Sequence, residues 1–156
     1  MFTTESTEGT EDGENGLNRI SRAVIGAAIE VHRQLGPGLL ESAYEACLEF
    51  ELTAQGHGVE KQKPLPVTYK GTPIDCLYRL DLVVGGLVVV EIKAVENLLP
   101  VHQAQILSYL KLSGLPLGLL INFHGATLKE GVRRFRSLQP FSVSSASSVP
   151  SVVKNS

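Results

Sequence analysis

A mixed α/β layered domain is the fold this sequence predicts, and three observations predict it. Two stretches with three- and four-residue apolar periodicity come first. Two valine-rich strands joined by a glycine pair follow, YRLDLVVGGLVVVEIKAVE. A proline-opened helix and a short, fully apolar strand come after them. The order helix, helix, antiparallel strands, helix, strand is that of a sheet with helices packed on its faces.

Each element has its own warrant. Residues 1–16 carry Glu5, Glu8, Glu11, Asp12 and Glu14 with no Lys or Arg, which predicts a disordered acidic tail. From Leu17 the apolar residues Ile20, Val24, Ala27, Ala28, Val31 and Leu35 recur at helical steps. Gly36-Pro37-Gly38 ends that helix, and a second runs roughly from Leu39 to Gln55 on the stripe Leu40, Ala43, Tyr44, Cys47, Leu48 and Leu52. Lys61 to Tyr69 reads as a strand that Pro64 and Pro66 confine to a sheet edge. After the two valine-rich strands, Pro100 opens a helix to about Leu112. Leu117 to Phe123 is apolar throughout, as expected of a strand covered on both faces, and Arg133 to Leu138 adds a last strand. The domain is predicted over residues 17–138, with a Ser- and Val-rich unstructured tail over 139–156.

Composition bounds the function. A chain of 156 residues suffices for one domain with a real core. The net charge of -2 hides an uneven distribution, since residues 17–136 hold 13 basic and 11 acidic side chains. A mildly positive core is compatible with nucleic acid without arguing for it. Cys47 and Cys76 lack metal-type spacing, and Cys47 lies on an apolar helix face, which predicts a reduced, buried thiol. The acidic start is unlike a signal peptide, and no apolar run approaches the ~20 residues of a membrane span. The expectation is a soluble, cytoplasmic protein with no membrane partner.

The chemistry is concentrated in the glycine-joined strands. Alternation along a strand projects Glu91 and Lys93 to one face. Charges beside so much Val and Leu are costly unless compensated, and a divalent cation is the simplest compensation. The turn sets a condition. A tight two-residue loop at Gly85-Gly86 pairs Val84 with Leu87 and Asp81 with Val90, which turns Glu91 away from Asp81. A shared site requires a three-residue loop or a bulge. The competing reading is a hairpin with Asp81 solvated on an outer face and Lys93 ending the strand.

Three other groups bear on the site. His102, Gln105 and Tyr109 fall within about a 60° arc of one helix. His102 alone reads as part of a wet surface stripe; Gln105 and Tyr109 together point to a substrate or strand-phosphate contact. Glu41 either complements the dipole of the second helix or reaches a metal site, and patterning does not choose between these. Glu45 and Glu49 read as solvated. Lys61, Lys63 and Lys70, or Arg133, Arg134 and Arg136, either contact phosphates or keep the surface soluble.

These residues resemble a known family. The run IGAAIEVHRQLGPGLLESAYEACL is similar to the signature of the small GxxExxY proteins, with Gly38, Glu41 and Tyr44 filling the motif. YRLDLVV, VVVEIKAVENLLPVHQAQILSYL and GLLINF match the same family in order, from about Ile20 to Phe123. That family is assigned to the PD-(D/E)XK nuclease-like superfamily, so the resemblance implies a restriction-endonuclease-like mixed sheet flanked by helices. It implies that Asp81 and Glu91 are metal-binding acids, Lys93 the catalytic lysine and Glu41 a further acid from the leading helix. Gln105 and Tyr109 resemble the Gln-x-x-x-Tyr element of the RecB-like branch. Leu80 stands where the superfamily's nominal proline would be. Arg79 also matches the family's pattern, without an assigned role.

The function this implies is phosphodiester hydrolysis in DNA, or in RNA, with Mg²⁺ or Mn²⁺ held by Glu41, Asp81 and Glu91. Hard oxygen ligands suit those cations. The alternative is a nucleic-acid-binding or regulatory module that keeps the fold without cutting, working with a protein partner or in a homo-oligomer. A purely structural protein leaves the hairpin's charges unexplained.

Overall fold

The computed structural model describes residues 2–138, with side chains from residue 13 onward. The predicted 139–156 tail lies outside the described residues. The elements are α1 (Phe2–Leu35), α2 (Glu41–Ala54), β1 (Val59–Tyr69), β2 (Thr72–Val84), β3 (Val88–Lys93), α3 (Pro100–Ser113), β4 (Leu117–Asn122), a 3₁₀ turn (Lys129–Gly131) and β5 (Val132–Arg136).

The five strands form one sheet in the order β1-β2-β3-β4-β5. Only β3 and β4 are parallel neighbours; the other pairs are antiparallel. The parallel pair is joined through α3, the crossover that parallel strands require. Strand alternation divides the core into two layers. Leu82, Val84, Val88, Val90, Ile92, Leu119 and Ile121 pack with α1 and α2. Val83 and Val89 face the other way and pack with Tyr109 and Leu110 of α3. The central β3 and β4 are buried on both faces, which is why their sequences are apolar without alternation.

Helix α1 is longer than the pattern predicts. The helix begins at Phe2 rather than Leu17, so the acidic stretch expected to be disordered continues α1. Midway along it Glu14 forms an ion pair with Arg136, and Asn18 accepts a hydrogen bond from Arg134 at 2.8 Å, which ties this stretch of the helix to β5. The start of α2 is fastened by Tyr44. Its buried hydroxyl donates to Gly36 O at 2.6 Å and accepts from Leu39 N at 3.1 Å, and its ring stacks on Phe123 at 4.4 Å. The tyrosine of the GxxExxY run is therefore a brace between the α1–α2 turn and the end of β4. Cys47 is half-buried rather than fully buried, Cys76 is exposed, and both are free thiols.

Candidate functional site

The glycine-joined hairpin meets the condition that its sequence sets. Val84 pairs with Val88, Val83 with Val89 and Leu82 with Val90, so the loop has three residues, Gly85, Gly86 and Leu87. Gly85 and Gly86 have φ of 63° and 68°, and Leu87 N donates to Val84 O at 3.1 Å. These are the features of a type I′ turn, with Leu87 added as the one extra residue that restores the register. Only glycine adopts two consecutive left-handed conformations at low cost.

That register puts Asp81 opposite Glu91, where the regular ladder stops. Carboxylates take the place of ladder carbonyls: Asp81 N donates to Glu91 Oε2 at 3.0 Å, and Ile92 N donates to Asp81 Oδ2 at 2.8 Å. Glu41, in the first turn of α2, accepts from Ala94 N at 3.1 Å just past the end of β3. One oxygen of each acid is thus held by backbone, which fixes three carboxylates around the last residues of β3.

The interior makes this arrangement electrostatically tense. Glu91 is 4 % exposed. Burial first, and the neighbouring Asp81 charge second, push its carboxyl up to about 8, against the lowering effects of the Asp81 backbone N–H and Lys93. Burial also raises Asp81, against the Ile92 N–H, Gln62 and Lys93, while Glu41 adds to the rise. Lys93 shares the α3 face with Glu91 by alternation and acts on both acids as a counter-charge. Tyr109, from α3, is raised first by burial and then by the charges of Glu91 and Asp81; its hydrogen bond with Gln105 opposes the shift. The structure therefore brings Asp81, Glu91, Lys93, Gln105 and Tyr109 to one neighbourhood, with Glu41 at its edge.

Two residues belong here that the sequence reading left out. Glu45, expected to be solvated, is 7 % exposed, and burial followed by the Asp81 charge raises its carboxyl. Gln62 donates through Nε2 to Glu45 Oε1 at 2.8 Å and to Asp81 Oδ1 at 3.3 Å. Its φ of 51° is left-handed, a conformation that costs a non-glycine residue roughly 1–2 kcal/mol. Lys61 pairs with Leu82 and Lys63 with Leu80, while Gln62 and Asp81 between them leave the ladder. The alternation of β2 breaks at the same point: Leu82 faces α1 and α2, whereas Leu80 joins the α3 layer. A polar residue flanked by two lysines before a proline gives no pattern signal for this role, and only the kink of β2 exposes it.

Other expectations resolve differently. His102 is not a bare surface residue; its Nδ1 accepts from Leu99 N at 2.9 Å and caps the start of α3. Glu49 is half-buried and lies 3.8 Å from Lys61. Asn122, at the end of β4, donates to Val95 O at 2.8 Å and accepts from Val95 N at 3.0 Å, which fixes the segment that follows Lys93.

The donor set suits a hard divalent cation: acidic oxygens only, with a buried carboxylate whose negative charge lacks full compensation. Among the described residues, no three His, Cys, Asp or Glu side chains converge closely enough to form a ready-made metal site. The expected convergence of Glu41, Asp81 and Glu91 on one ion is therefore not formed in this arrangement, in which each acid is instead tied to a backbone N–H. No helix among the described residues is long and apolar enough to cross a membrane.

A sequence model of the PD-(D/E)XK nuclease superfamily matches residues 18–135. No curated protein matches. A solved structure described as "Crystal structure of SSO0001" aligns at a TM-score of 0.45 and 18 % identity, over 74 % of this chain and 59 % of that one.

Proposed function

The chain belongs to the PD-(D/E)XK nuclease superfamily, and on that premise we propose that it is a metal-dependent nuclease hydrolysing phosphodiester bonds in DNA or RNA. Within the superfamily we assign it to the small GxxExxY proteins, on the run from Gly38 through Glu41 to Tyr44. The observation that carries the catalytic reading is the reciprocal pairing of Asp81 and Glu91, each carboxylate holding the other strand's backbone N–H, with Lys93 on the same face as Glu91.

In this reading Asp81, Glu91 and Glu41 hold Mg²⁺ or Mn²⁺. The cation, when bound, supplies Lewis acidity toward the scissile phosphate and the attacking water. The rest of the site does what its side chains allow. The high affinity of Glu91 for a proton signals a carboxylate that gains from any cation replacing it. In this reading the Lys93 ammonium orients the attacking water or neutralises charge developing on the phosphate, supported by its place on the Glu91 face of β3. Gln105 and Tyr109, linked to each other, present amide and hydroxyl groups that position the strand. Gln62 keeps the orientation of Asp81 by bonding its outer oxygen.

The test is cleavage by purified protein of linear, circular and single-stranded DNA and of RNA, with Mg²⁺, Mn²⁺ or EDTA, beside Lys93→Ala and Asp81→Ala. Cleavage that needs the cation and disappears in both variants supports the reading. Cleavage that survives either substitution sinks it. Nucleic-acid binding without cleavage under any cation favours instead a binding module that keeps the fold.

A further inference from the structure

Strands β1 and β2 continue well past the body of the sheet as a two-stranded ribbon. Every residue from Gly71 to Arg79 is exposed, and this half of β2 is uncovered beyond Tyr78, whose ring meets Tyr109 at the ribbon's base. Its side chains are nevertheless not those of a solvated ribbon. Tyr69 is 62 % exposed, Ile74 42 % and Tyr78 44 %. Pairing and alternation place them together. Leu65 is opposite Tyr78 and Val67 is opposite Ile74. The register shifts between Pro66 and Val67, where β2 carries the two extra residues Asp75 and Cys76, and an insertion of two preserves the alternation, so Tyr69, Ile74 and Tyr78 fall on one face. That face is the α3 side, because the Tyr78 ring stands 6.0 Å from the ring of Tyr109. Lys63 alternates onto it, and the Lys70 ammonium lies 5.5 Å from the centre of the Tyr69 ring.

We propose that this ribbon is a stacking platform for single-stranded nucleic acid, leading an unpaired strand along Tyr69 and Tyr78 to Tyr109 and the carboxylates beyond. The proposal rests on the nuclease reading for what happens at the far end, and adds the form of the substrate. Three features favour a nucleic acid strand over a second copy of the chain or another protein. Residues 59–79 carry Lys61, Lys63, Lys70 and Arg79 against Glu60 and Asp75; Lys63 pairs with Glu60 and Lys61 with Glu49, and Lys70 and Arg79 add positive charge that suits phosphates. The exposed rings are tyrosines spaced along one face, and aromatic faces stack on unpaired bases of any sequence. The row is continuous with the acid site, since Tyr109 senses both Glu91 and Asp81. From Asp81 to the tip the ribbon reaches roughly 25 Å, the length of about seven stacked nucleotides. A duplex buries its base faces and offers nothing for these rings to stack on.

The test is fluorescence anisotropy with a labelled single strand of about 12 nucleotides and its duplex, in EDTA, using the full chain. Wild type is compared with the Tyr69→Ala/Tyr78→Ala and Tyr69→Phe/Tyr78→Phe pairs and with Lys63→Ala/Lys70→Ala. Wild type is expected to bind the single strand more tightly than the duplex. The alanine pair is expected to weaken single-strand binding at least tenfold, with duplex binding and thermal melting little changed. The phenylalanine pair retains binding, and the lysine pair flattens the salt dependence. Equal single-strand affinity in wild type and the alanine pair overturns the platform and leaves the nuclease reading intact. Loss of single-strand binding in the alanine pair, in a protein that cleaves nothing, supports the platform and sinks the catalytic reading. No binding to any nucleic acid overturns both. A dimer that the alanine pair dissociates, with affinity for the single strand unchanged, identifies the ribbon as an interface between copies and overturns the proposal.

Discussion

Replacing Glu91 by glutamine should stabilise the metal-free protein, and by an amount that grows with pH. The amide of Glu91→Gln keeps the volume and the oxygen that accepts the Asp81 N–H, so the hairpin's geometry is preserved. What the substitution removes is the charge. The Glu91 carboxyl is raised from the ordinary glutamate range to about 8 in the folded state. An acid raised in this way keeps its proton in the native protein after the unfolded chain has lost it. Native stability is therefore highest below the ordinary glutamate range, declines as pH rises toward 8 and levels off above that. Over this window the cost reaches at most about 5 kcal/mol, the larger part of it already present at pH 7. Urea unfolding in EDTA at pH 5, 7 and 8.5 reads the difference between wild type and Glu91→Gln. Asp81 and Glu45, also raised, give both proteins a residual slope of the same sign, which the difference removes. Added Mg²⁺ should then stabilise wild type and leave the variant nearly unmoved. A difference independent of pH, or a wild type that is the more stable protein at pH 8.5, refutes the reasoning.

Two further substitutions test the scaffold. Tyr44→Phe removes a buried hydroxyl that serves Gly36 O and Leu39 N, and should cost about 1–3 kcal/mol in urea unfolding while leaving cleavage per folded molecule unchanged. Gly131→Ala drives a methyl group against the carbonyl oxygen of Asn122, a backbone atom that cannot turn aside, and should lower stability by about 1–3 kcal/mol in thermal or urea melts; an unchanged midpoint contradicts the packing described for the end of β4.

Much of this fold was legible in the sequence because burial and periodicity coincide there. Leu17, Val24, Ala27, Ala28 and Val31 reappear as the buried face of α1 and Tyr44, Leu48 and Leu52 as that of α2, while Leu35 and Leu40 at the α1–α2 turn are exposed; the apolar run from Leu117 becomes β4, buried throughout. The hairpin was legible as a condition: counting alternation from Gly85-Gly86 showed that Asp81 and Glu91 meet only across a three-residue loop or a bulge, and the register supplies the loop. Three features escaped for physical reasons. The acidic start of α1 has composition against order, and its helical course is tied down by Glu14 to Arg136, a contact between residues 122 apart in sequence. Glu45 read as solvated, yet it is buried, bonded by Gln62 of β1 and raised by the Asp81 charge, contacts from strands remote in sequence. Gln62 itself carries no periodic or spacing signal; its role comes from a left-handed backbone that tertiary packing imposes.

Metal-dependent catalysis in this fold requires that Asp81 and Glu91 form a cation site in the folded protein. Crystals soaked in Mn²⁺ and measured at a wavelength where manganese scatters anomalously locate that cation directly. An anomalous peak is expected within coordination distance of a carboxylate oxygen from each of Asp81 and Glu91, about 2–2.5 Å, with Glu41 turned toward it. An empty hairpin at saturating Mn²⁺, or a peak held by other residues, contradicts this expectation.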